Sequence, residues 1–516
     1  MKLKNAFYVL ALAVLGLFFI TGCRKSEFDI NKNPNAPTDS TITYNLILPA
    51  ALQTTSTIVE TNFGWLQNWL GYWARSGTYA PNVTEESYQI TTNFQAGIWD
   101  NLYSNNFNYD IMQKKAHQAG ATFYEGVARI LKAHNFQLLV DLYNNIPYFQ
   151  ALKGSGNPTP AYDKGIDIYK DLFRQIDTAI VLLNDTDPDL NLDYKTNDLV
   201  YGGNTTKWIK FGNTLKLRLL VHLYKVPGFN FSEEIDKIDA TGVGYLGTGE
   251  TAQINPGFNA TKPNPFYRSY VRDETATATG NSVYYKANEY AIGYYTWNGD
   301  PRISRFYTAG SLGQRGVAYG LPPSADNIAS KLSAISGPGL LKNSGYDAPA
   351  WILTSVESLF LQAEARERGI IKTGPTAGVL LNAAIRESFI WLGLSAATAN
   401  SYISNNETYP DVDYNAPGGG IVTIINQKWF ALNAIAPFEI WTDYRRADYA
   451  GEKHFIYGEA GGFDPGPPIS VAPQNTSREI PVRLLYPQNE YNYNAKNVGS
   501  EGTINQFTNK IFWDIE

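Results

Sequence analysis

Apolar residues recur at helical spacing along much of this 516-residue chain. Residues 120–141, GATFYEGVARILKAHNFQLLVD, place Val127, Ile130, Leu131, His134 and Leu138 on one face. The helix should stop in YNNIPY, because Pro147 cannot continue it. A second stripe, Ile166, Tyr169, Phe173, Ile176 and Ile180, predicts a helix over 163–183 that ends before NDTDPDLN. A third, Trp208, Phe211, Leu215 and Leu219, predicts one over 205–225. None of these helices can bury its face alone, so the pattern predicts stacked helical hairpins.

Between 228 and 345 the pattern changes, with Gly, Pro, Asn, Ser and Tyr dominating stretches such as TKPNPFYRSY and YAIGYYTWNGDPRI. The segment is too long for one loop in a compact domain, so short helices and small hairpins are expected inside it. Irregular segments of this kind carry binding function on a rigid scaffold. Helical spacing returns at APAWILTSVESLFLQAEARERGI, with Val356, Leu359, Phe360 and Ala363 as the stripe. Glu364 and Arg368, four residues apart, read as a solvated outer pair. Thr373-Gly374-Pro375 breaks the chain before a helix carrying Leu381, Ala384, Ile385 and Ser388, and a last long helix fits 420–435. The end, REIPVRLLYPQNEYNYN, lacks periodicity and reads as extended. The expected fold class is mainly α with minor β. A single domain covers 43–516, comprising a helical hairpin scaffold at about 43–227 and 346–450, the irregular insert at about 228–345, and an extended tail at about 451–516.

Ahead of this domain, Lys2 and Lys4 precede an uncharged run from Ala6 to Ile20, the shape of a signal peptide over residues 1–22. Ile20-Thr21-Gly22-Cys23 resembles the bacterial lipobox, in which the cysteine is acylated (palmitate-type chains) and becomes the new amino terminus. Cys23, the only cysteine of the chain, is therefore the expected lipid attachment point. Several acyl chains anchor stably at about 0.8 kcal/mol per buried methylene. An ordinary secretory signal would instead send an unpaired thiol into an oxidising compartment. Residues 23–42, polar and rich in Asn and Pro, read as a flexible tether.

Removing Lys2 and Lys4 with the leader takes the net charge from −6 to near −8, which argues against a nucleic-acid partner. The chain holds 35 Tyr, 25 Phe and 11 Trp but 2 Met. Aromatic faces suit stacking on sugar rings, although ordinary packing uses them equally. Gly242, Gly244 and Gly247 have dinucleotide-fingerprint spacing but follow a short helix and precede none, so they read as a turn. His117, His134, His222 and His454 show no metal spacing, and no HExxH, GxSxG or Walker motif occurs. No catalytic residue, metal or cofactor is expected. Glu85–Glu86 and Asp411–Asp413 are local carboxylate pairs of the kind a glycoside hydrolase needs about 5–10 Å apart. The absence of a strand–helix barrel pattern weighs against that activity.

Binding candidates come from two aromatic stretches. In WLQNWLGYWARSGTYAPNVTEESY, Trp65, Trp69 and Tyr72 share a core-facing stripe, whereas Trp73, Arg75 and Tyr79 sit where helix gives way to polar loop. The insert adds Trp297, Asn298, Arg315 and Tyr319.

Five stretches, in order, carry a resemblance: the lipobox with FDINKNPNAPT; ARILKAHNFQLLVDLYNNIPY; YDAPAWILTSVESLFLQAEARERG; INQKWFALNAIAPFEIWTDYRR; and IPVRLLYPQNEYNYN. Together they resemble the SusD/RagB family of outer-membrane lipoproteins of Bacteroidetes. The resemblance implies a scaffold of tetratricopeptide-like helix pairs, with the irregular middle forming much of the ligand face. It implies a non-enzymatic, cell-surface lipoprotein on the outer membrane, facing the exterior. Such a protein binds an extracellular oligosaccharide noncovalently and delivers it to a SusC-like TonB-dependent transporter. A peptide-binding lid of the same type and a secreted glycoside hydrolase are the alternatives. NGDPRISRFY resembles a recurrent family stretch, which gives Asp300 and Arg302 a fold-holding role. Trp429, Trp441, Arg445 and Arg446 are likewise expected to lock the last helix to the body.

Overall fold

The computed structural model describes residues 42–342, 344–446, 467–477 and 479–515. The expected leader, Cys23, nearly all of the tether and the start of the tail lie outside the described residues. The first half contains α1 (Tyr44–Thr61), α2 (Gly64–Trp69), β1 (Trp73–Arg75), α3 (Ala96–Ala119), α4 (Thr122–Tyr143), α5 (Gly165–Asn184) and α6 (Thr205–His222). Helix α3 packs on α1 and α4, α4 on α5, and α5 on α6, the neighbour-on-neighbour order of stacked hairpins. Gly120, at φ +69°, makes the turn between α3 and α4 in a region that strains other residues. Gly126 lets α4 and α5 approach closely: a Cβ there would lie 2.9 Å from Leu183 Cγ and 3.1 Å from the Ala179 carbonyl oxygen.

The second half adds α7 (Phe231–Ala240), β2 (Ala252–Ile254), β3 (Tyr285–Ala287), α8 (Glu289–Trp297) and β4 (Ala350–Leu353). It continues through α9 (Ser355–Glu367), α10 (Ala377–Trp391), α11 (Ala396–Asn405), α12 (Ile421–Leu432) and α13 (Pro437–Arg446). Side chains of Thr354, Thr376 and Ser395 cap α9, α10 and α11 by accepting from the N–H groups of Glu357, Val379 and Thr398. Helix α9 packs on α6, α10 and α12, while α13 packs on α12 and α2.

The insert holds short helices, as its composition predicts. Its strands differ from the expected local hairpins. β3 pairs antiparallel with β1, Trp73 opposite Ala287, and β2 with β4, Ile254 opposite Ala350. The insert is thus stitched into the scaffold at long range. The tail also differs from an extended strand: its described part contains short helices at Gln488–Tyr493 and Ala495–Gly499, and it carries Trp513 into the core.

The largest departure concerns Glu364 and Arg368. Their ion pair forms, at 2.8 Å, but the Glu364 side chain is fully buried. Lys428 Nζ from α12 lies 3.6 Å from Glu364, 3.0 Å from Glu439 and 3.0 Å from Asp443. Arg446 from α13 reaches Glu364 at 2.9 Å and Asp443 at 2.6 Å. His222 contacts Glu439 at 3.1 Å and Asp141 at 3.3 Å, and Arg218 pairs with Glu357. A helix-wheel reading places Glu364 in water, but α12 and α13 close over that face of α9 and bring its counter-charges Lys428 and Arg446 with them.

Candidate functional site

The N-terminal aromatic stretch folds inward. Trp65, Trp69 and Tyr72 are buried as their spacing predicts, and Tyr72 stacks on Trp429 at 4.6 Å. Trp73, a candidate ligand contact, is 1% exposed. Its strand pairs with β3, and Tyr270 and Tyr285 cover its ring at 5.1 and 5.5 Å. Arg75 is 2% exposed and is a latch rather than a ligand donor. It holds Glu86 at 2.5 Å and donates to the carbonyls of Tyr79 (2.8 Å) and Leu321 (3.1 Å). Tyr319 is buried as well, its hydroxyl donating to Glu85 at 3.4 Å. Tyr79 is half-buried against Tyr284, and Arg315 is half-buried with a bond to the Asp326 carbonyl.

Arg75 and Tyr319 close around Glu86 and Glu85, so that carboxylate pair has structural partners. Asn68 donates to Glu85 at 2.6 Å. Burial pushes the Glu85 carboxyl up to about 7, against the hydrogen bonds from Asn68 and Tyr319. The other local pair is also occupied: Asn426 donates to Asp411 at 3.0 Å, and Asp413 accepts from the N–H groups of Thr408 and Asn415.

A different cleft presents aromatic faces to solvent. Helix α8 ends at Trp297, which is 56% exposed, and the chain turns through Asn298 and Gly299. Opposite stand Tyr402, Asn405 and Asn406 of α11 and its C-terminal turn, followed by Tyr409, which is 51% exposed. These residues line a cavity of about 390 Å³. Asn406 ties the two walls, its amide donating to the Asn298 carbonyl at 3.2 Å and the Tyr402 carbonyl at 2.9 Å. Thr408 sits at φ +82°, a strained conformation for a β-branched residue, and its N–H is held by Asp413. Strain retained beside a cleft is a mark of functional sites.

The floor of the cleft is rigid. Arg302 is fully buried and bound to Asp300 at 2.6 Å, to Ser388 Oγ at 2.8 Å and to Gln427 Oε1 at 2.9 Å. Its guanidinium also lies over the rings of Phe389, Tyr402 and Phe430. Asp300 and Arg302 therefore hold the turn after Trp297 onto α10, α11 and α12, the fold-holding role expected of them. Beneath Asn298, burial pushes Asp411 up to about 6 despite hydrogen bonds from Tyr294, Asn298 and Asn426.

Two exposed rings and amide side chains, with no carboxylate or lysine lining the cavity, can stack on a flat apolar face and hydrogen-bond to hydroxyls. Of the sequence candidates, Trp297 and Asn298 meet in this cleft, and Trp73, Arg75, Tyr79, Arg315 and Tyr319 do not line it. Tyr409 and Asn405 went unread, because nothing in NNETYPDVDYN distinguishes a wall of a cleft from a polar turn.

Among the described residues, no group of three or more His, Cys, Asp or Glu could hold a metal ion, and no helix is long and apolar enough to cross a membrane. His134 and His222 are buried, with burial pushing His134 down to about 3.

Residues 34–487 match the SusD-like family model, described as starch-binding and associating with the outer membrane. No curated protein matches the chain. Among solved structures, a chitin-binding SusD homolog from Flavobacterium johnsoniae aligns at TM-score 0.72 and 22% identity, over 92% of this chain and 99% of that one. A SusD homolog from Bacteroides uniformis aligns at 0.70 and 21%, over 91% and 99%. A SusD/RagB family protein from Bacteroides thetaiotaomicron aligns at 0.71 and 17%, over 92% and 99%. The family match runs through helical scaffold and irregular insert alike, and the chain belongs to the SusD-like, or SusD/RagB, family.

Proposed function

We propose that this protein is a cell-surface lipoprotein that captures an extracellular oligosaccharide between Trp297 and Tyr409 and passes it to a SusC-like TonB-dependent transporter. The observation that carries the reading is the pair of exposed rings on a rigid, amide-lined cleft. Stacking supplies affinity, and the amides of Asn298 and Asn405 select hydroxyl patterns. No step of chemistry is needed, since the ligand is held and released. Glu85 and Glu86, both buried and committed to Asn68 and Arg75, support capture rather than hydrolysis. The family description and the chitin-binding relative favour a glycan over a peptide.

Titration calorimetry with neutral starch and chitin oligosaccharides tests this. Trp297→Ala is expected to weaken the best ligand by about 1–3 kcal/mol, the range for loss of one stacking ring. The melting temperature should stay nearly constant, because the ring lies outside the core. A panel that gives no heat with the unaltered protein, or a variant that binds normally, defeats the assignment.

Anchoring is tested separately. Cys23→Ser is expected to move the protein from the membrane fraction to the soluble fraction, because the acyl chains would have no attachment point. Unchanged fractionation would remove the lipid anchor from the model of function and leave the sugar cleft standing.

A further inference from the structure

We propose that the groove between α1 and the loop and short helix over 258–270 is a second binding site, one that takes the carboxylate-bearing sugar of an acidic oligosaccharide. The groove encloses about 520 Å³, enough for a sugar unit or two, and it shares no lining residue with the Trp297 cleft. Its charge is positive: Lys262 and Arg268 line it, and no lining residue is acidic, in a chain with 48 acidic and 42 basic residues. Lys262 Nζ bonds at 2.6 Å to Gln53 Oε1, a neutral partner that leaves its charge uncompensated there. Arg268 meets Glu274 at 3.8 Å with both side chains more than half exposed, a pair worth little in water.

The neutral residues of the groove fit a sugar as well as an anion. Thr54 and Thr57 spend their hydroxyl protons on the carbonyls of Ala50 and Gln53, so their lone pairs are left to accept from ligand hydroxyls. Asn62 supplies a donor: its Nδ2 is buried and has no hydrogen-bond partner among the described residues, which costs stability until something accepts from it. Donors and acceptors side by side suit vicinal hydroxyls, which do both, better than they suit a peptide terminus. The site is also built in advance. Asn259 Oδ1 accepts from the N–H groups of Thr261 and Lys262 at 3.0 Å each, and Asn264, the N-cap of the helix over Pro265–Tyr270, donates its amide to the carbonyls of Ala348 and Pro349. The backbone that carries Lys262 and Arg268 is thus fixed before a carboxylate docks, and only the side chains need to be ordered.

The test is calorimetry on the purified full-length protein with trigalacturonic acid and with its methyl ester, which keeps the sugar and removes the charge. Trigalacturonic acid is expected to bind, more weakly as salt rises. The ester, and the Lys262→Gln/Arg268→Gln variant with the acid, should each bind about tenfold more weakly or less well still, as expected for losing charge-assisted hydrogen bonds. Lys262→Gln alone should show an intermediate loss, which keeps the test open if the double variant melts early. Trp297→Ala should leave this binding unchanged, so failure of the neutral-sugar reading and failure of this one are separable. No heat from trigalacturonic acid, equal affinity for the ester, or undiminished binding by the charge variants overturns the proposal. So does loss through Trp297→Ala, which would move the acid to the other cleft, or equal binding of trialanine, which would make the site a peptide-carboxylate site.

Discussion

Lys428→Met is expected to lower the stability of the protein by about 3–5 kcal/mol, the usual loss when one partner of a buried ion cluster is removed. Lys428 is fully buried, with Glu439, Asp443 and Glu364 around its ammonium group at 3.0, 3.0 and 3.6 Å. Methionine fills a similar volume, so packing changes little and the effect is electrostatic. Three carboxylates then share Arg446, Arg368, Arg218 and His222, some at longer reach. Urea unfolding measures this as a shift of the midpoint with an unchanged slope. A shift equivalent to less than about 1 kcal/mol would mean that the remaining cations neutralise the cluster without Lys428.

The same cluster predicts pH dependence at both ends. Burial opposes ionisation of Glu364, but Arg446, Arg368 and Lys428 more than offset it and hold its carboxyl well below the usual value of 4.5. The lowered folded-state value means that stability from Glu364 is present above about 4.5 and is lost as pH falls toward the folded value. His222 runs the other way. Burial disfavours its charge, yet Glu439 and Asp141 outweigh burial and keep its pKa above 6.5. Its contribution is complete below 6.5 and is lost as pH rises through the folded value. Stability should therefore fall on the acid side through Glu364 and on the alkaline side through His222, and Lys428→Met, which lets the Glu364 carboxyl move back toward its ordinary value, should make the acid-side loss smaller.

Arg302→Met is expected to cost about 3–5 kcal/mol and, unlike Lys428→Met, to weaken glycan binding as well. The change strands Asp300, 1% exposed, without its counter-charge, and removes donors from Ser388 and Gln427. Asp300 also accepts from the Arg302 backbone N–H at 2.9 Å, closing the turn that follows Trp297, Asn298 and Gly299. With the floor loosened, the Trp297 wall loses its fixed distance from Tyr402 and Tyr409, and affinity should fall about tenfold or more even in conditions where the variant is folded. Arg302→Lys should rescue little, since an ammonium group cannot match the planar fork that reaches Asp300, Ser388 and Gln427 together. Normal affinity in a destabilised Arg302→Met protein would separate the clamp from the cleft.

Parts of this molecule were legible residue by residue. The helices over 120–141, 163–183 and 205–225 appear as Thr122–Tyr143, Gly165–Asn184 and Thr205–His222. A 3.6-residue period, a capping side chain and a proline act within a turn or two, so neighbours in sequence suffice to see them. The core stripe of Trp65, Trp69 and Tyr72 was visible for the same reason. Trp297 stood out as a large ring beside Asn and Gly in an irregular stretch, and it is exposed. Trp73 and Arg75 looked alike by that criterion, at a switch from helix to loop, and are buried. What covers them comes from Tyr270, Tyr285 and Leu321, far along the chain from both.

The chain's own pattern thus determined where the helices run and which of their faces are apolar, because those signals are local. Tertiary structure alone decided which charges lie inside and which rings lie outside. Glu364 stands out as a charged residue in the sequence, but only α12 and α13, which bring Lys428 and Arg446, make burying it tolerable. Trp297 becomes one wall of a cleft only because Asn406 and Arg302 bring Tyr409 to face it. Burial and opposition are properties of segments far apart in sequence, and no local period encodes them.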